Sequence, residues 1–317
     1  MNKAPRQARD HGGALDAAID SYGGTRATWL DLSTGINPDA YPIPPVTADA
    51  WTALPDRNAH AALVAHARRF WNIPDAAAVL PVPGASAAIA QIPRLKPAAR
   101  VHIPTPTYNE HMAAFALAGW TATRAADDAQ AQAVVHPNNP DGRFWTAADL
   151  TAPMRIIDES FCDVSPDRSL VHVTDQPGTL VLKSFGKFWG LAGLRLGFVI
   201  GDPGLVEQLA ERLGPWPVSG IALEIGARAL ADTGWAEQTR TRLAADSDRV
   251  DVMMTARGAT VVGGTPLFRL YDVPDARVWQ HGLAQQHIWT RTFPYSDTWV
   301  RLGLPAATGW DRLDAAL

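Results

Sequence analysis

Short continuous apolar runs alternate with Ala-rich stretches along much of the chain. The runs are AVLPV from Ala78, RVHIP from Arg100, QAVVH from Gln132, MRIID from Met154, TLVLKS from Thr179 and LGFVIG from Leu196. Each is too short for a buried helix and lacks polar alternation, which marks strands covered on both faces. Between them, 58–71, 85–94 and 109–118 are helix candidates, because Ala has the highest intrinsic helix propensity. This alternation predicts an α/β fold with a mostly parallel central sheet flanked by helices. Beyond Leu213 the texture changes. Residues 219–257 read as mostly helical with an interruption at Gly234, followed by short strands near 259–262 and 267–271, a helix near 276–286, and strands near 288–292 and 298–302. The expected division is a large α/β domain at 31–228 and a smaller α+β domain from 1–30 and 229–317.

Composition narrows the class. The 317 residues carry 28 Lys+Arg against 32 Asp+Glu, a formal net charge of −4, and 47% are hydrophobic. That excludes a disordered chain and gives no basic footprint for nucleic acid. A single cysteine, Cys162, excludes an internal disulfide and a cysteine-only zinc site. The most apolar stretch, 180–200, contains Lys183, Lys187 and Arg195, so a bilayer span is not expected. The opening MNKAPRQARDHGG has no apolar signal core. The expectation is a cytoplasmic globular enzyme with no membrane or nucleic-acid partner.

Several loops that follow strands carry chemistry. In KSFGKFWGLAGLRLGF, Lys187 lies in a Gly- and aromatic-rich turn, three residues after Ser184 and eight before Arg195. A lysine among apolar neighbours has a lowered pKa and can condense with an aldehyde. The hydroxyl and guanidinium suit a phosphate. Asp158 in DESF could pair with a protonated ring nitrogen, bind magnesium together with Glu159 and Asp163, or simply cap a helix. In HPNNPDG, Asn139 can offer an amide at the sheet edge, although the segment is also an ordinary turn former. Gly84, Ala85 and Ser86 open a helix whose N–H groups favour an anion, and Tyr108 can stack on an aromatic ring. Arg291 and Arg301 on two late strands are candidates for substrate anions. Histidine spacing gives no metal motif, and GxSxG, GxGxxG and GxxxxGK[ST] spacings are absent.

In their order these motifs resemble the fold-type-I pyridoxal-phosphate enzymes of the aminotransferase class I/II superfamily, from HGG at His11 to Arg301 in WVRLGLP. The flanks HGG, WLDLSTGINP from Trp29, LGPWPVSG from Leu213 and GGTPLFRL from Gly263 are similar to its cobalamin-biosynthesis branch, the CobC/CobD group of L-threonine-O-3-phosphate decarboxylases. The resemblance implies pyridoxal 5'-phosphate as cofactor, no metal, and a homodimer with active sites at the interface. It also implies conversion of L-threonine O-3-phosphate to (R)-1-amino-2-propanol O-2-phosphate. Lys187 would bind the cofactor covalently, Asp158 would pair with the ring nitrogen, Asn139 with the ring oxygen, and Tyr108 would stack. Gly84, Ala85, Ser86, Ser184 and Arg195 would hold the phosphate. Arg301 would bind the substrate carboxylate, with His11, Asn37 and Arg291 as candidates for its phosphate.

Two departures from the wider family stand out. The usual tyrosine of a DExY pattern is Phe161, as in the decarboxylase branch. A tyrosine often offered ahead of Pro-Asp to the neighbouring subunit is Leu54, before Pro55 and Asp56. The alternatives are an aminotransferase resembling histidinol-phosphate aminotransferase and, more remotely, a non-catalytic ligand sensor of the same fold.

Overall fold

The computed structural model describes residues 11–43 and 45–317. The helices are α1 (Leu15–Tyr22), α2 (Ala48–Thr52), α3 (Arg57–Phe70), α4 (Ala85–Gln91), α5 (Asn109–Leu117), α6 (Pro203–Leu213), α7 (Gly220–Ala231), α8 (Thr233–Thr255), α9 (Ala276–Gln285) and α10 (Trp310–Ala316). The strands are β1 (Leu30–Asp31), β2 (Ala78–Val82), β3 (Arg100–His102), β4 (Thr121–Thr123), β5 (Ala131–Val135), β6 (Met154–Asp158), β7 (Thr179–Ser184), β8 (Gly197–Gly201), β9 (Thr260–Thr265), β10 (Phe268–Asp272), β11 (Ile288–Trp289), β12 (Arg291–Phe293) and β13 (Ser296–Gly303).

The chain forms two compact units. The larger comprises residues 36–249 and 263–267. Its seven-stranded sheet has the order β2-β8-β7-β6-β5-β3-β4, and every neighbouring pair is parallel except the two made by β8. Every residue of β5 and β8 is buried, as expected for strands covered on both faces. One face packs Ile89, Ile92, Phe115, Trp120 and Leu209 against the strands. Helix starts are set by side chains that accept otherwise unpaired N–H groups: Asp56 from Ala59 at α3, Asp202 from Gly204 and Leu205 at α6, and Ser219 from Ala222 at α7.

The smaller unit takes the described chain up to Gly35, 250–262 and 268–317. In it β1 runs parallel to β11, and β12, β13, β10 and β9 form a second sheet. Residues 1–10 of the expected small-domain segment lie outside the described residues.

The larger unit extends through Arg249, beyond the expected boundary at 228. The cause lies in side chains of α8: Trp235 stacks on Trp189 with centroids 5.3 Å apart, and Arg240 donates to the Asp163 carbonyl at 2.8 Å. The helical break expected at Gly234 falls at Asp232, whose carboxylate accepts from Trp235 N–H at 3.0 Å and caps α8. No helix among the described residues is long and apolar enough to cross a membrane.

Candidate active site

Because β5, β6 and β7 are parallel and in register, their carboxyl ends open on one edge of the sheet, where ligands of open α/β folds bind. The segments after β2 and β3 reach the same edge. β8 runs the other way, so its beginning, not its end, meets them. A pocket there is lined by Ala85, Ser86, Tyr108, Asn139, Asp158, Phe161, Ser184, Lys187 and Arg195, together with Ile89, Val135, Ser160, Gly186 and Ala192. Gly84 adjoins it. The structure thus brings the residues proposed for cofactor binding to one place from five separate segments.

Asp158 ends β6 and is 2% exposed. Its Oδ2 lies 2.8 Å from His111 Nε2, and its Oδ1 accepts from the hydroxyl and backbone N–H of Ser160. Burial alone would raise its pKa, but the bonds and charge of His111 and those of Ser160 outweigh it and hold the carboxyl below its ordinary value. Asp158 is therefore held as an anion, with a partner on each of its oxygens. His111 was not among the residues singled out from sequence. It lies in the first turn of α5, three residues after Tyr108 at the helix N-cap, and the two rings meet edge-on with centroids 6.2 Å apart.

The connection from β7 to β8 spans residues 185–196 and carries Lys187. Phe185 N–H donates to the Leu196 carbonyl and Leu191 N–H to the Phe185 carbonyl, both at 3.0 Å, closing the loop on itself. Phe185 stacks on Trp189 at 5.2 Å. Lys187 Nζ lies 5.2 Å from the centre of the Phe161 ring. Arg195 has φ +54, the left-handed region uncommon for a side-chain-bearing residue, and donates to the Ala192 carbonyl at 2.9 Å. Gly84, with φ +81, sits directly under it: a Cβ there would come within 2.5 Å of Arg195 Nη2. This bare backbone beside a guanidinium and the hydroxyls of Ser86 and Ser184 suits a phosphate. With a buried anion for a ring nitrogen and an amine at Lys187, the donor set fits pyridoxal 5'-phosphate.

Of the adjacent asparagines, Asn139 lines the pocket, whereas Asn138 is committed to Thr107, Pro106 and Asp141. Asn37 is buried. Its amide donates to the Phe188 carbonyl at 2.9 Å, its carbonyl accepts from Arg242 at 2.6 Å, and its N–H donates to the Lys187 carbonyl at 3.0 Å. The bonds to Phe188 and Lys187 tie Asn37 to the lysine loop, and that to Arg242 ties it to α8.

The other three substrate candidates lie in the smaller unit. Arg301 on β13 is 5% exposed, donates to the Ser33 carbonyl at 2.8 Å and lies 5.0 Å over the Phe268 ring. It faces Arg291 of β12 directly across the ladder. Like charges opposed in this way are destabilising unless an anion joins them; burial first, then Arg291, push the Arg301 guanidinium down to about 10. Arg291 donates to the His11 carbonyl at 2.8 Å, which brings the HGG segment to this pair.

Leu54 is 68% exposed. His136, Glu159 and Cys162 lie close enough to hold a metal ion. However, both ring nitrogens of His136 are bonded, to Trp145 N–H and to the Arg168 carbonyl, and Glu159 is bonded to Ser169, Leu170 and Lys183. The trio is part of the packing.

The aminotransferase class I and II profile matches residues 45–317. A threonine-phosphate decarboxylase of Sinorhizobium sp is 40% identical, and one of Pseudomonas aeruginosa 39%, each alignment covering 97% of this chain and 97% of the relative. Among solved structures, histidinol-phosphate aminotransferase from Sinorhizobium meliloti in complex with pyridoxal 5'-phosphate superposes with a TM-score of 0.82 at 19% identity, covering 96% of this chain and 93% of that one. The chain belongs to the aminotransferase class I and II family.

Proposed function

We propose that the protein is a pyridoxal-phosphate-dependent threonine-phosphate decarboxylase. It would convert L-threonine O-3-phosphate to (R)-1-amino-2-propanol O-2-phosphate for cobalamin biosynthesis. The observation that carries the cofactor reading is the convergence of Lys187 and buried Asp158 on one pocket. The substrate comes from the two decarboxylases similar over nearly their whole length.

When bound, pyridoxal 5'-phosphate supplies an electron sink for the pair released at the substrate α-carbon. Asp158, kept anionic by His111 and Ser160, would pair with the ring nitrogen. Asn139 would bond the ring oxygen and Tyr108 would pack on the ring. Ser86, Ser184, Arg195 and the backbone at Gly84 would hold the phosphate. Lys187 would hold the cofactor through its amine. With the carboxylate leaving as carbon dioxide, Lys187 would supply the proton that replaces it at the substrate α-carbon. Phe161 brings no hydroxyl to the ring oxygen, which leaves that contact to Asn139. Arg301 binds the substrate carboxylate, and Arg291 with His11 takes its phosphate, so the paired guanidiniums meet a substrate with two anionic groups.

The working form is a homodimer. Ile43, Trp51, Leu54 and Trp216 of the larger unit all expose more than half of their surface, more large apolar side chain than a solitary subunit gains from leaving in water.

The test is direct. Purified protein given L-threonine O-3-phosphate is expected to release carbon dioxide, and Lys187→Ala to lose both that activity and the visible absorbance of the bound cofactor. Colour retained in Lys187→Ala would remove Lys187 as the point of covalent attachment. Amino transfer to 2-oxoglutarate without carbon dioxide release would favour the second reading, an aminotransferase, for which the superposition on histidinol-phosphate aminotransferase is the motivating observation.

A further inference from the structure

Behind Asp158 the sheet carries a second polar row. His136, Glu159 and Lys183 each follow a member of the aligned row Val135, Asp158 and Leu182, and successive strand residues point to opposite faces. Lys183 is 1% exposed, with its ammonium 2.6 Å from Glu159 and 3.3 Å from Asp163. Asp163 also accepts the indole N–H groups of Trp71 at 2.9 Å and Trp189 at 3.2 Å. Burial by itself would strip the proton from Lys183, but Glu159 and Asp163 outweigh it and raise its pKa. Of the other titratable neighbours, Arg240 brings a guanidinium to the Asp163 backbone carbonyl at 2.8 Å, while His136 and Cys162 carry no charge. His136 uses one nitrogen as donor and one as acceptor, and burial, reinforced by Glu159, pushes the Cys162 thiol well up. The cluster therefore holds two carboxylates against one ammonium.

A buried ion cluster of this kind is weak as a source of stability, since well-packed apolar residues often serve as well or better. Its placement is informative. Glu159 stands between Asp158 and Ser160, which line the pocket, and Lys183 directly precedes Ser184, four residues before Lys187. We propose that the Glu159–Lys183–Asp163 cluster is a positioning device. It clamps the end of β6 to the end of β7 and so sets the spacing of Asp158 from Ser184 and Lys187. The inference rests on the cofactor reading of the pocket. Its residues touch neither cofactor nor substrate and act through the strand ends.

The test compares Lys183→Met, Lys183→Arg and the double variant Glu159→Gln/Lys183→Met in the cofactor-loaded protein. It follows cofactor release on dialysis and the pH midpoint of the cofactor's absorbance change. Lys183→Met leaves two uncompensated carboxylates behind the site. It is expected to release cofactor roughly tenfold faster, since small misplacements in a preorganised site have large effects. Its midpoint should rise by about one unit, because added negative charge favours the protonated form. Lys183→Arg is expected to restore both. A folded Lys183→Met with wild-type release and midpoint, whatever its melting temperature, would overturn the inference. Should that variant fail to fold, the double variant keeps the cluster's net charge and decides: faster release supports the clamp, wild-type release overturns it. A wild-type protein that takes up no cofactor would remove the reading of the pocket and this inference with it. A coloured wild type beside an unperturbed Lys183→Met removes the inference alone.

Discussion

Asp158 lies between two opposing influences, and the balance sets its behaviour in acid. Desolvation favours the neutral carboxyl; the bonds from His111 and Ser160 favour the anion and prevail. A group with a depressed folded pKa contributes stability that is present above its unfolded value and lost as pH falls through the folded one. Cofactor retention should therefore persist to pH values below the ordinary aspartate range of about 3.9. Replacing His111 by Phe removes the largest opposing contribution and leaves the Ser160 bonds alone against desolvation, so Asp158 should protonate at higher pH. Acid release of cofactor, followed by absorbance, is expected to begin nearer neutrality in His111→Phe. An unchanged acid limb would place the anion's stabilisation elsewhere. The carboxylate itself was legible in the sequence, because a strand ending in Asp-Glu at a sheet edge is a local pattern. Its partner was not, because His111 reaches Asp158 across 47 positions, and only the packing of α5 on the sheet brings them together. Asn37 shows the same limit: its motif was legible, but its bonds to Phe188 of the lysine loop and to Arg242, 205 positions away, were not.

Among the elements, legibility followed burial. Four of the six strands read from continuous apolar runs are largely buried, where the pattern and the environment agree; Ala78–Val82 and Arg100–His102 are only partly covered. The edge strand Thr121–Thr123 escaped notice because three residues with no buried side chain leave no apolar mark. The break between α7 and α8 was expected at a glycine but is made by Asp232, whose side chain offers the N-cap bond that a glycine cannot. Asp232→Ala is expected to lower unfolding free energy by about 1 kcal/mol, the usual worth of such a cap, as measured by denaturant melts. A loss well beyond that would show that Trp235 and its stack on Trp189 depend on the cap. An absent effect would show that aromatic packing alone holds the start of α8.

At the scale of the whole molecule, the division into an α/β unit and a smaller α+β unit followed from the change in texture after the last strand of the large sheet. The boundary itself did not, since α8 is one continuous helix whose allegiance is decided by the stacking of Trp235 and the reach of Arg240. Self-association also belongs to this scale. Trp51 is 70% exposed and Leu54 68%, so a charge there should cost the folded subunit little while opposing contact with a second copy. If the proposed homodimer forms through this face, Trp51→Glu is expected to shift it toward monomer in sedimentation velocity. A dimer of unaltered affinity would move the interface to another face.

The reversal of β8 has one more effect. Because that strand returns along β7, one closed turn of twelve residues, 185–196, presents both the amine at Lys187 and the guanidinium at Arg195. On the proposed reading, two ends of one small molecule would meet the same short piece of backbone. A change in the conformation of that turn would then act on both contacts together, while those at Gly84 and Ser86 would come from a different segment.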